Sequence, residues 1–301
     1  MEISICICTR KRPQGLKRLL ESILSMEPVE YDCAVKLNIV ENDDQPTLAS
    51  YIEEIKTKSP YPVNYFVEPE VGISSARNKA VKESAGSDYC LFLDDDVVVD
   101  KDCLNELYRI VKEYNADGAW GQTLPSFEND VEPFIEKFHT QPVKNYGEVV
   151  ESPATNALLI KKEWLDKIEG PFDARLNFTG GEDIFLTSQL TKRGAVVRYN
   201  PHAIAKEMVP QNRTKLTYII KRAFRNSNTY ILVESLRGNL RNKGKLALRQ
   251  LARLIYGALL LAPTALRGDA CKHRGLIVMA DACGYLAFTF GKVNTFYKRQ
   301  L

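Results

Sequence analysis

Tyr89-Cys90-Leu91-Phe92-Leu93-Asp94-Asp95-Asp96-Val97-Val98-Val99 is the stretch whose reading decides the fold. Its first five residues are almost continuously apolar, as in a strand covered on both faces rather than one with a wet side. The run then stops at three adjacent carboxylates. Like charges this close repel, so a compensating cation is one reading of the cluster. The other is a solvated acidic turn leading into a helix after residue 100. Hard carboxylate oxygens suit Mg2+ or Mn2+, with a diphosphate able to complete the coordination.

Outward from this strand, the first two-thirds of the chain alternate strand-like and helix-like segments. Residues 3–8 alternate as a short strand, and 13–26 carry Leu16, Leu19, Leu20, Ile23 and Leu24 on one helical face. A strand over 34–40 ends in the polar turn Glu41-Asn42-Asp43-Asp44. A helix near 47–56, a strand over 63–67, a helix over 74–84 and a helix over 100–114 complete the series. Such alternation predicts an α/β fold, an open sheet with crossover helices, whose ligands bind beyond the carboxyl ends of the strands. Three polar clusters, 9–12, 41–44 and 94–96, fall at those ends and are expected to converge on one crevice.

The 301 residues carry a formal net charge of +3 that hides an asymmetry. Residues 1–205 sum to −11 and residues 206–301 to +14, a cation-holding half followed by a half suited to an anionic partner. Seven scattered cysteines without metal-type spacing read as reduced thiols of a cytoplasmic protein. The opening residues read as a strand rather than a secretory leader.

Six stretches, in order, resemble glycosyltransferase family 2: ISICICTRKR (3–12), VENDD (40–44), VGISSARNKA (71–80), LFLDDDV (91–97), ATNALLI (154–160), and FDARLNFTGGEDIFL within 170–194. The resemblance implies a GT-A fold, a Rossmann-like mixed sheet flanked by helices, over residues 1–206. It also implies inverting transfer of a sugar from a nucleotide-sugar donor, UDP- or dTDP-linked, to a hydroxyl of a glycan or lipid-linked glycan. Nucleotide-sugar contacts fall by resemblance to Thr9, Glu41 with Asp43, Gly72, Arg77, Asp94 and Asp95. Arg10 and Arg12 could reach phosphates or be ordinary surface cations. The metal, Mn2+ or Mg2+, is assigned to Asp96 and Asp94, with the register within 94–96 left open. His202 is a metal ligand by the same resemblance, or else a hydrogen-bonded surface histidine.

Glu182 and Asp183 open an expected helix, where carboxylates are stabilised by the dipole in any case. The resemblance places the catalytic base in this pair, Asp183 first and Glu182 second. Gly180 and Gly181 permit close approach of a sugar, and Trp120 is a candidate for lining the acceptor cleft. Trp164 reads as core.

From residue 207 to 301 strand signals give way to a basic, amphipathic helical extension with segments over 216–236, 246–266 and 275–291. Interleaved basic and aliphatic residues in 207–225 favour anionic lipid over nucleic acid, and the apolar runs are short for spanning. The expectation is a peripheral protein on the inner face of the cell membrane, with self-association of the apolar faces as the soluble alternative. Two other functions fit the sheet-plus-carboxylate logic. A nucleotidyltransferase would carry a Gly-rich basic loop after the first strand, where only Gly15 occurs, and a non-catalytic binding module would not need both Asp96 and Asp183.

Overall fold

The computed structural model describes residues 1–240, 242–261 and 268–295. Eight strands form one mixed sheet in the order β3-β2-β1-β4-β7-β6-β8-β5. Strands β1 (Glu2–Thr9), β2 (Ala34–Glu41), β3 (Val63–Val67) and β4 (Tyr89–Asp94) run parallel. β7 (Leu158–Lys161) joins β4 antiparallel, and β6 (Gly118–Phe127) joins β7 antiparallel. β5 (Val97–Val99) pairs antiparallel with the long β8 (Val197–Val209) at the far edge.

The decisive strand is covered on both sides, as its apolar run requires. Side chains alternate across a strand, so Tyr89, Leu91 and Leu93 join one core with Ile3, Ile5 and Ile7. Cys90 and Phe92 join a second core with Cys6, Val40, Ala76 and Phe172. Helices α1 (Pro13–Leu24), α2 (Ala49–Lys58) and α4 (Cys103–Tyr114) contribute to the first core. Helices α3 (Ile73–Glu83) and α7 (Glu182–Lys192) contribute to the second. Trp164, in the short α6 (Lys162–Asp166), packs against the second core, with the Lys167 ammonium 3.5 Å from its ring centroid.

The parallel register sets the functional edge. Thr9 lies opposite Glu41, Glu41 opposite Val67, and Cys8 opposite Asp94, so the polar clusters end in one row. β8 is long because its second half, to Val209, pairs with β5.

The chain divides into two compact units. The first comprises Met1–Ser126, Thr140–Asn177 and Glu182–Met208. The second comprises Phe127–His139, Phe178–Gly181 and the chain from Val209 on. Helices α5 (Pro133–His139), α8 (Leu216–Leu236), α9 (Lys243–Leu261) and α10 (Gly268–Thr289) belong to the second, and α10 packs on both α8 and α9. Residues 262–267, which include Pro263 and the end of the segment read over 246–266, lie outside the described residues.

Candidate functional site

The three aspartates are not equivalent. Exposure alternates through the turn: side-chain values are 41% for Asp94, 6% for Asp95 and 22% for Asp96. Asp95 is turned inward, accepting hydrogen bonds from Thr9 Oγ1 at 2.8 Å and Arg12 at 2.9 Å. Burial pushes its carboxyl up to about 6 even against the Arg12 guanidinium. Arg12 also bonds Asp96 at 3.2 Å. Gly15 lets α1 pass against this turn, since a Cβ there would sit 2.5 Å from the Asp95 carbonyl oxygen. Lys11, between the two arginines of the turn, adopts φ 54, a conformation that costs an L-residue and that the surrounding contacts must hold.

The second cation, Arg77 of α3, is 6% exposed and joins two carboxylates. It donates to Asp94 at 2.8 Å and to Glu182, and its guanidinium lies 5.7 Å from the Phe172 ring centroid. Glu182 is buried at the first turn of α7. Burial, opposed by Arg77, pushes its carboxyl up to about 7, and its second oxygen has no hydrogen-bond partner. Asp183 beside it is only partly covered and accepts from the Ile184 N–H at 2.7 Å. The acidic pair thus divides into a buried member locked to Arg77 and a reachable one.

Asparagines that motif reading passed over hold these parts together. Asn78 exchanges two hydrogen bonds with the backbone of Phe172, at 2.8 and 2.9 Å. Ser74 donates to the Asp173 carbonyl. Asn177 accepts from the Ser75 N–H and donates to the Ser75 hydroxyl, both at 2.9 Å. Gly72 has φ 154, and a Cβ there would overlap the Asn177 side chain. On its other side, the Gly72 N–H donates to Asn42, whose amide group donates to the carbonyls of Glu68 and Glu70. The available signal was chemical: amides inside the quoted motifs, two of them, Asn42 and Asn177, in loops where backbone groups without a ladder need partners.

Glu41 and His202 lie in contrasting surroundings. Glu41 is 2% exposed, and its oxygens accept from the Thr47 N–H and hydroxyl, the Leu48 N–H and the Tyr65 hydroxyl. These contacts tie the loop after β2 to the end of the strand. Asp43, beside it, takes the Gln45 N–H and lies 3.6 Å from Lys11. Burial opposes ionisation there, but the Gln45 and Asp44 contacts and the charges of Lys11 and Arg10 outweigh it and lower the carboxyl.

His202 is exposed on β8, with its ring 6.1 Å from that of Tyr146. Six residues further along, the Met208 N–H meets the Asp96 carbonyl. At ~3.3 Å per residue that separation is ~20 Å, which sets His202 well apart from the Asp96 turn. Trp120 packs on the second core with its ring 5.8 Å from that of Tyr199. Gly180 and Gly181 have φ 79 and 85 and fall in the second unit, where Gly181 abuts Thr229 and Val233 of α8.

Among the described residues no three His, Cys, Asp or Glu side chains form a cage for a metal ion. Asp94 and Asp96 nonetheless fit a hard divalent cation. Mg2+ is commonly held by one or two carboxylates and completed by water and substrate phosphate oxygens.

A parallel sheet edge lined with carboxylates and two arginines, fed by an antiparallel extension, is the GT-A architecture of nucleotide-sugar transferases. Residues 4–168 match the model of Glycosyl transferase family 2, and residues 89–293 that of Glycosyl transferase family group 2. The chain belongs to glycosyltransferase family 2. The succinoglycan biosynthesis protein ExoM of Rhizobium meliloti is 29% identical over 289 residues, 92% of each chain. The mannosyltransferase PcManGT of Pyrobaculum calidifontis, solved with GDP-Man and Mn2+, superposes with a TM-score of 0.64 at 13% identity. That match covers 96% of this chain and 87% of the other. S. aureus TarS 1-349 with UDP gives 0.55 at 15% identity, covering 97% and 92%. At these identities the structural likenesses speak for the fold.

Proposed function

We propose that the protein is an inverting, metal-dependent glycosyltransferase. It takes a sugar from a UDP- or dTDP-linked donor and passes it to a hydroxyl of a glycan or lipid-linked glycan in polysaccharide synthesis at the inner face of the cell membrane. The observation that carries this reading is the division of labour among the carboxylates. Asp95 and Glu182 are buried and paired, while Asp94, Asp96 and Asp183 remain accessible beside them. The name of ExoM supports the polysaccharide role, and GDP-Man and Mn2+ in PcManGT support a nucleotide-sugar donor and a divalent cation.

In this reading Thr9, Arg10, Arg12, Asp43, Gly72 and Arg77 surround the donor, and Asp94 and Asp96 would hold Mn2+ or Mg2+. When bound, that cation offsets charge developing on the leaving nucleoside diphosphate. Arg12 and Arg77, each already against an aspartate, add positive potential at the same place. Asp183 takes the proton of the acceptor hydroxyl as its oxygen bonds to the anomeric carbon. The bond from that carbon to the diphosphate oxygen breaks on the opposite face, so one displacement inverts the configuration. General-base assistance of this kind is worth ~10²–10⁴ in rate. Trp120, Gly180 and Gly181 are assigned to the acceptor side.

The test is a screen of UDP-, dTDP- and GDP-sugars for metal-dependent thermal stabilisation, followed by donor turnover with Asp183→Asn. Stabilisation by one nucleotide class, with turnover lost and donor binding kept in the variant, is expected. No response to any nucleotide sugar, or full turnover in Asp183→Asn, refutes the assignment.

A further inference from the structure

The sequence directs attention to residues 207–225 as the lipid-facing segment, but the structure moves it elsewhere. Ile219, Ala223 and Ile231 of α8 are buried, and α8 packs against α10. α9 is exposed along one side and packs on α10 along another. On that side Gly257 lies against Gly275 and Met279 of α10, Arg253 pairs with Asp281, and Gln250 is buried.

On the other side Leu248 is 70% exposed, Leu251 49%, Ile255 63% and Leu259 60%. Steps of three, four and four residues put them on a single helical stripe. A continuous aliphatic stripe left in water marks a contact surface. Its border is informative about the contact. Lys245 and Arg249 are exposed along one edge, and Tyr256, 45% exposed, lies on that edge between them. No Asp or Glu occurs between Glu234 and Asp269. Among the described residues no helix is long and apolar enough to cross a membrane.

An apolar stripe edged by cations and an amphipathic aromatic complements a surface that is oily below and anionic above.

We propose that α9 lies in the surface of an anionic bilayer. Leu248, Leu251, Ile255 and Leu259 enter the acyl boundary, and Lys245 and Arg249 meet headgroup phosphates. This deepens the membrane reading above and rests on it, and vesicle binding is measured apart from transfer so that each can fail alone.

The experiment is co-sedimentation of the full chain with phosphatidylcholine vesicles, with and without phosphatidylglycerol. It compares wild type, the triple variant Leu248→Gln/Ile255→Gln/Leu259→Gln and the charge variant Lys245→Glu/Arg249→Glu. All five positions are exposed, so melting and nucleotide-sugar stabilisation should match wild type. Wild type should bind the anionic vesicles and release with added salt. Both variants should lose binding at least about tenfold, because burying one aliphatic side chain is already worth about that factor and reversing two cations turns headgroup attraction into repulsion. Undiminished binding of the triple variant, or no wild-type binding to anionic vesicles, overturns the proposal. A wild-type dimer in sedimentation velocity that the triple variant breaks also overturns it, giving the stripe to a second copy.

Discussion

Replacing Arg77 by Met tests the electrostatic core of the site most directly. Among the described residues the guanidinium is the sole cation paired with buried Glu182, and it also bonds Asp94. Met keeps much of the apolar stem and removes the charge. Breaking a buried pair by deleting one partner costs ~3–5 kcal/mol. The cost has a pH signature because Glu182 titrates to about 7 even with Arg77 present.

In wild type the folded protein holds this proton more tightly than the unfolded chain. The Glu182 contribution to stability is therefore full at low pH and declines as pH rises from the unfolded carboxyl range through about 7. Without the cation the folded carboxyl rises further. The variant must then keep losing up to ~1.4 kcal/mol per pH unit above 7, where the wild-type curve has levelled for this group. Denaturant titrations at pH 6, 7.5 and 8.5 read this out. Arg77→Met/Glu182→Gln removes the stranded acid, so its cost should fall below the sum of the single costs by ~1–3 kcal/mol, and the excess pH slope should vanish. Additive costs, or a variant whose penalty is flat between pH 7.5 and 8.5, would refute the linkage.

Asp94→Asn and Asp96→Asn should abolish the Mn2+-dependent part of nucleoside diphosphate stabilisation while leaving metal-free stability within ~0.5 kcal/mol. Asp95→Asn should do the reverse, costing ~1–3 kcal/mol without metal because Thr9 and Arg12 lose a buried acceptor. A lost metal response with unchanged stability in Asp95→Asn would contradict this division. Gly72→Ala should cost at least ~1–3 kcal/mol from backbone strain alone, before the overlap with Asn177 is counted. Wild-type melting in that variant would show that the loop can yield. Tyr65→Phe should cost ~1–3 kcal/mol by leaving the buried Glu41 short of a donor. If Glu41 instead faces a ligand, nucleotide binding will fall with little loss of stability.

The sheet was legible because burial on two faces leaves a local mark. The apolar run 89–93 and the alternation in β1 each report their own surroundings, and their register follows once the strands are parallel. The three basic amphipathic segments reappear as α8, α9 and α10 for the same reason: helical periodicity is local. What stayed hidden depends on contacts far apart in sequence. Nothing near Asp95 says that it, rather than Asp94, turns inward, since Thr9 and Arg12 lie more than eighty residues away. Glu41 looks like a free carboxylate until the Tyr65 hydroxyl and the 47–48 backbone are seen to converge on it. His202 reads as a ligand only while the length of β8 is unknown. Nor could periodicity decide which basic helix is packed and which bares its apolar side, because that depends on where α10 sits.

The amide bridges from Ser75 to Asn177 and from Asn78 to Phe172 bear on how such an enzyme can be recombined. They join segments about a hundred residues apart in sequence, and one of those segments delivers Glu182 and Asp183 to Arg77. A chimera spliced anywhere between residues 84 and 170 inherits α3 from one parent and its amide counterparts from the other. Exchange of the later half to alter acceptor choice will succeed where both parents supply matching amides, and elsewhere the grafted half must bring its own 72–78 segment with it.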